Sequence, residues 1–167
     1  MKWLRHILMV VSLVVQTSVH AQCPDIPETY HWETAEDYAR DKELVKKTLR
    51  WLCRTPLGEQ VQQRSMANAY VLEWLAGTPE PTISIDTKVL CCTNEFPDLL
   101  YTYMHGIALY VLEHEKQKTN AELQVEGLKV VAALAAQSKE ISKAGCMRKM
   151  LRAAKRGKLK EYVKKNG

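Results

Sequence analysis

The sequence predicts an all-α fold, a single domain of about five antiparallel helices with one extended loop at 79–90, and three observations predict it. Apolar residues recur at helical spacing over five stretches. Threonine-led capping signals open several of these stretches, and proline or glycine closes them. Only 79–90 departs from the pattern, because Thr82-Ile83-Ser84-Ile85-Asp86 alternates polar and apolar residues. A lone strand has no partner, so this segment reads as an extended loop laid across the helices, with pairing to a second chain through Ile83 and Ile85 as the alternative.

The first helix is expected from about Thr34 to Cys53, where Thr34 and Asp37 form a capping pair and Tyr38, Val45, Leu49 and Leu52 share a stripe. It stops before Thr55-Pro56, since the residue ahead of a proline disfavours the helical well. Thr55 is then expected to cap the second helix with Pro56 at its first position, and that helix runs on to Gly77. The two ends share Leu-x-Trp-Leu-x-x-Thr-Pro at Leu49–Pro56 and Leu72–Pro79, which reads as two helices that finish alike rather than as a repeat array. Tyr30, His31 and Trp32 form an aromatic cluster placed to staple the entry of the first helix to the core.

The third helix opens around Asn94, with Pro97 and Asp98 in its first turn, and reaches Glu115. Its apolar residues fall on nearly every side, so it is expected at the centre of the fold. The fourth, Asn120 to about Ser138, carries a Thr119 and Glu122 capping box, and Gly127 and Ala132-Ala133 allow close helix contact. The fifth spans Ser142 to Arg156, ended by Gly157, and a last turn at Leu159, Tyr162 and Val163 folds back onto the body.

Residues 1–21 are expected to be a cleavable secretory signal. Lys2 and Arg5 precede an apolar run, Ile7 to Val15, too short to span a bilayer, and Val19-His20-Ala21 sets a cut before Gln22. Cys23 invites comparison with a lipoprotein signal, but that pathway takes a small residue before the cysteine, and Gln22 stands there. The expected product, residues 22–167, is periplasmic or secreted, of single-domain size, and in contact with membrane at most peripherally.

Charge is unevenly spread. Residues 22–138 hold 11 basic and 17 acidic side chains, whereas 139–167 hold 11 basic and 2 acidic. The C-terminal surface around Arg148, Lys149, Arg152, Lys155 and Arg156 could therefore meet an anionic surface. The plainer account is a solvated face complementing the acidic remainder of the same molecule, and no nucleic-acid partner is expected.

Five cysteines, an odd number, cannot pair completely. One bridge from Cys91 or Cys92 to Cys23, Cys53 or Cys146 is one reading, and free half-buried thiols are the other. No Cys-x-x-Cys pair and no His-x-x-x-His or H-E-x-x-H spacing occurs, so neither a metal site nor a cofactor is expected. Arg64 and Asn68 lie one turn apart, and with Asp86 from the loop they outline a polar pocket or a buried network that fixes the loop. Cys92 with His105 would be the thiol and imidazole of an enzyme, but no nucleophile elbow, phosphate loop or paired carboxylate accompanies them. The reading is a non-enzymatic interaction module for an unknown protein or envelope component, with a thiol- or histidine-dependent enzyme as the alternative.

The residues Arg64-x-x-Ala67-Asn68-Ala69-Tyr70-x-x-x-Trp74-x-x-Gly77-x-Pro79, with Ile83 and Ile85 beyond and Gly157-Lys158-Leu159-x-x-Tyr162 near the end, resemble small exported proteins of unknown function from Bacteroidetes-like bacteria. The resemblance spans most of residues 22–167. It implies an all-helical exported domain with no assigned activity, and it transfers no catalytic or binding residue.

Overall fold

The computed structural model describes residues 22–79, 86–114 and 118–167. The expected signal at 1–21, and Ile83 and Ile85 of the expected loop, lie outside the described residues. The chain forms a single all-helical body, and the described residues contain no strand. Among the described residues seven α-helices follow one another: α1 (Ala35–Leu52), α2 (Val61–Gly77), α3 (Asp98–Glu113), α4 (Asn120–Gln137), α5 (Lys139–Lys143), α6 (Arg148–Lys155) and α7 (Leu159–Asn166), with a 3-10 turn at Gly145–Met147 between α5 and α6.

Helix α3 joins two apolar clusters. Its Ala108 and Leu112 pack with Val45, Leu49, Leu52, Tyr70 and Trp74 of α1 and α2. Its Leu99, Tyr103, Ile107 and Val111 pack with Leu128 and Val131 of α4 and with Met147, Met150, Leu159 and Val163 of the C-terminal helices. A helix apolar on most sides can be satisfied only in that position, between two layers. Contact with α4 is close because two glycines meet there: a Cβ on Gly127 would lie 2.8 Å from the Tyr103 carbonyl oxygen, and one on Gly106 would lie 3.0 Å from the Gly127 Cα.

The first helix starts as its capping pair requires. Asp37 accepts from the Thr34 backbone N–H at 3.0 Å and returns its own N–H to the Thr34 hydroxyl at 3.3 Å. Trp32 and Tyr30 stack at 4.8 Å and both meet the Tyr70 ring, while the Trp32 indole donates to Asp41 at 2.7 Å. His31 takes no part in this cluster, pairing instead with Glu33 at the surface.

Three expected boundaries are corrected. Thr55 does not cap α2; its N–H donates to the Trp51 carbonyl and so extends the end of α1. Gly58 (φ 88°) and Gln60 (φ 47°) then take the left-handed conformation, so the helix opens only at Val61. The third helix opens at Asp98 rather than Asn94, because a turn closed by Phe96 N–H on the Cys92 carbonyl occupies the preceding residues. The expected fifth helix is divided into α5, the 3-10 turn and α6, since Ala144 is extended (ψ 132°) and the Ser138 hydroxyl caps α5 at Ile141 N–H. The described residues therefore hold seven helices rather than five.

Of the loop at 79–90, the described end lies against the helices as expected. Val89 is buried, the Tyr103 hydroxyl donates to the Asp86 carbonyl at 3.0 Å, and the Tyr162 hydroxyl donates to the Val89 carbonyl at 3.2 Å.

Candidate functional site

Helices α6 and α7 form a short hairpin whose outer face is strongly basic. Gly157 (φ 68°) ends α6 in the left-handed conformation, with Gly157 N–H on the Ala154 carbonyl and Lys158 N–H on the Ala153 carbonyl. That turn sends α7 back beside α6, with Met150, Leu159 and Val163 in the core. Arg148, Lys149, Arg152, Lys155 and Arg156 are all exposed. Lys149 and Arg152 of α6 and Arg156 just after it line an open cavity of about 290 Å³ together with Lys158, Glu161, Tyr162 and Lys165.

Charge pairing on this face is sparse. Lys158 meets Glu161 at 3.2 Å, and Lys160 reaches Glu122 of α4 at 3.5 Å. Among the described residues no carboxylate pairs with Arg148, Lys149, Arg152, Lys155 or Arg156. The last turns of α6 and α7 carry Arg152, Lys155, Lys164 and Lys165, where the partial negative charge of each helix C-terminus offsets part of their mutual repulsion.

Beside this face lies the cysteine cluster. Cys92 and Cys146 form a disulfide with Cα atoms 5.9 Å apart, joining the segment before α3 to the 3-10 turn before α6. Cys23, Cys53 and Cys91 are free. Burial pushes the Cys53 thiol up to about 12, against the opposing pull of the Arg64 charge. Burial also raises Cys91, whose thiol donates to the Cys146 carbonyl at 3.1 Å and touches the Met147 sulfur at 3.8 Å.

The structure does not bring Arg64, Asn68 and Asp86 together. Arg64 is buried and turns its guanidinium on the end of α1, donating to the carbonyls of Leu52, Thr55 and Pro56, with the Trp51 ring 5.9 Å away. It closes the helix terminus that the sequence left without a cap. Arg64 and Asn68 do border an open groove of about 460 Å³, but the carboxylate there is Asp98, whereas Asp86 accepts from Lys88 N–H at 3.0 Å.

Nor does a cysteine and histidine pair form, since Cys92 is bonded to Cys146. His105 is enclosed in the core with neither ring nitrogen hydrogen-bonded among the described residues, and burial with the Arg64 charge pushes it down to about 3. The group that sequence reasoning missed is Glu95. Its carboxylate lies 3.8 Å from the Cys146 sulfur, and Cys92, Glu95 and Cys146 bring their ligand atoms within 4.8 Å of one another. The Cys92-x-x-Glu95 spacing was visible in the sequence, but the third member stands 54 residues from Cys92.

Fold and surface together define an all-helical single body with a disulfide-pinned basic hairpin. Compared with known protein families, curated proteins and solved structures, the chain matches none.

Proposed function

We propose that this protein is a non-enzymatic interaction module acting outside the cytoplasm, and that it docks on an anionic envelope surface through the basic face of α6 and α7. One observation carries the reading: 11 basic side chains in residues 139–167 meet only 2 acidic ones there, and the exposed cations of α6 have no carboxylate partner among the described residues. Concentrated, unpaired charge of one sign disfavours the compact state by self-repulsion, so an anionic partner offsets a cost already present in the fold. The signal-like residues 1–21 support action beyond the cytoplasm. No helix among the described residues is long and apolar enough to cross a membrane, and a peripheral contact needs none.

The test is co-sedimentation with phospholipid vesicles, anionic against zwitterionic, across a salt series. Binding to the anionic vesicles alone, weakening as salt rises, is expected. Each basic residue near such a surface contributes about 1 kcal/mol, so Arg152→Gln with Arg156→Gln should weaken binding roughly 30-fold. Equal binding to both vesicle types, or binding indifferent to salt, would remove the proposal.

A further inference from the structure

We propose that the Cys92, Glu95 and Cys146 cluster is a redox-gated zinc site, closed by the disulfide and opened by its reduction. The three residues of the ligand set are already neighbours. Two sulfurs and one carboxylate oxygen lie within 4.8 Å of one another, contributed by the turn before α3 and by the 3-10 turn before α6.

The local backbone explains how. Phe96 N–H closes a turn on the Cys92 carbonyl at 2.8 Å, which folds Glu95 back toward the cysteine three residues before it. Two ligands separated by two residues on a tight turn are the spacing by which zinc sites commonly take half their ligands from one loop. Cys146 supplies the third from across the cluster, and its Cα lies 5.9 Å from that of Cys92. Ligands at zinc distances, about 2.3 Å for sulfur and about 2.0–2.2 Å for oxygen, stand roughly 3.5 Å apart around a tetrahedral ion. The two sulfurs must separate by a small side-chain rotation, and the backbone separation already suits that geometry.

The chemistry selects the ion. Thiolate with carboxylate suits zinc, which accepts both, better than calcium or magnesium, which take oxygen alone. Cys146 and Glu95 are exposed, so an ion has a route in. Cys91 is not assigned as a ligand, because its thiol is turned to the Cys146 carbonyl and the Met147 sulfur, and water takes the fourth position.

Opening the site consumes two electrons. Two thiols of an external thiol reductant are oxidised to one disulfide while the Cys92–Cys146 bond is cleaved to two thiols. Zinc then binds both sulfurs as thiolates and two protons pass to solvent. In the oxidised protein neither sulfur is available, so metal and disulfide exclude each other.

The experiment uses the chain with Cys23→Ser, Cys53→Ser and Cys91→Ser, which leaves only the cluster cysteines. It is reduced with a phosphine, which becomes the phosphine oxide as it cleaves the bond, and is then titrated with cobalt(II) and zinc(II). Reduced protein is expected to bind one cobalt with a near-ultraviolet thiolate-to-metal charge-transfer band that zinc displaces, while the oxidised protein shows no band. Cys146→Ser should abolish the band, and Glu95→Ala should weaken binding about tenfold or more, a loss that even an outer partner of a zinc ligand can produce. Helix content by circular dichroism accompanies each variant. Should the triple variant lose its helix, the melting temperature of reduced wild type decides instead: a rise with zinc that Glu95→Ala removes supports the site, and no rise overturns it. Absence of the band in folded reduced protein, or a band indifferent to Cys146→Ser, overturns the proposal equally.

Discussion

His105 is the residue whose titration the fold should display most clearly. Its imidazole is enclosed in the core and feels the Arg64 charge, with both nitrogens unpartnered among the described residues, and its value falls from 6.5 to about 3. Burial is the larger cause because no hydrogen bond replaces the water that a charged ring would hold. The folded value lies below the unfolded one, so the unfolded chain takes up the proton first. The stabilisation is thus present above pH 6.5 and is lost as pH falls from 6.5 toward 3. Between pH 7 and pH 5 that linkage amounts to about 2 kcal/mol. His105→Leu removes the titrating group along with two unpartnered polar atoms, so stability at pH 7 should hold or rise, and the variant should gain about 2 kcal/mol on wild type by pH 5. Urea unfolding followed by circular dichroism at pH 7, 6 and 5 reads both quantities. Parallel pH profiles for wild type and variant would refute the reasoning, because only an imidazole kept neutral by the fold produces the divergence.

Gly127→Ala sets helix propensity against packing. Alanine favours a helix interior by about 1 kcal/mol. Its Cβ, however, would stand 2.8 Å from the Tyr103 carbonyl oxygen, a backbone atom that no rotamer change can move. Forcing α3 and α4 apart costs about 1–3 kcal/mol, so a net loss of up to about 2 kcal/mol in urea unfolding is expected, and a gain would show that the helices do not meet at the glycines. Replacing Cys92 and Cys146 together by Ser releases a loop that spans 54 residues. The chain-entropy relation gives a loss of about 4 kcal/mol, measurable by urea unfolding without reductant, and unchanged stability would place the bridge elsewhere.

How much could be read from the residues alone depended on how local each cause was. Thr34 with Asp37 and Thr119 with Glu122 sit three residues apart and opened α1 and α4 where expected. The apolar surround of α3 and the small residue at Gly127 likewise placed the centre of the fold. Thr55-Pro56 misled because proline is acceptable both in a first helical turn and in a plain turn, and the left-handed Gln60 that decides between them carries no strong sequence mark. The break at Ala144 went unread because helical apolar spacing continues through it. Arg64 was singled out for the right environment but the wrong partners: the sequence shows a cation beside an apolar stripe, and only the fold shows three backbone carbonyls waiting at the end of α1.

The bridge and the basic face stand side by side for a physical reason. Helices α5, α6 and α7 have 5, 8 and 8 residues, all below the length at which an isolated helix holds itself in water. They also carry the densest like charge in the chain, which adds repulsion to intrinsic weakness. Three links counter this. Ile141, Met147, Met150, Leu159 and Val163 enter the main core, and Cys146 is tied to the segment that leads into α3, the most enclosed helix. Tyr162 adds a third link by donating to the Val89 carbonyl from α7. A cluster of cations that simply kept the protein in solution could ride on a loose tail. Fixing it to the core by covalent bond, apolar anchor and hydrogen bond holds the charges in one constant arrangement, the preorganisation on which the proposed docking would draw.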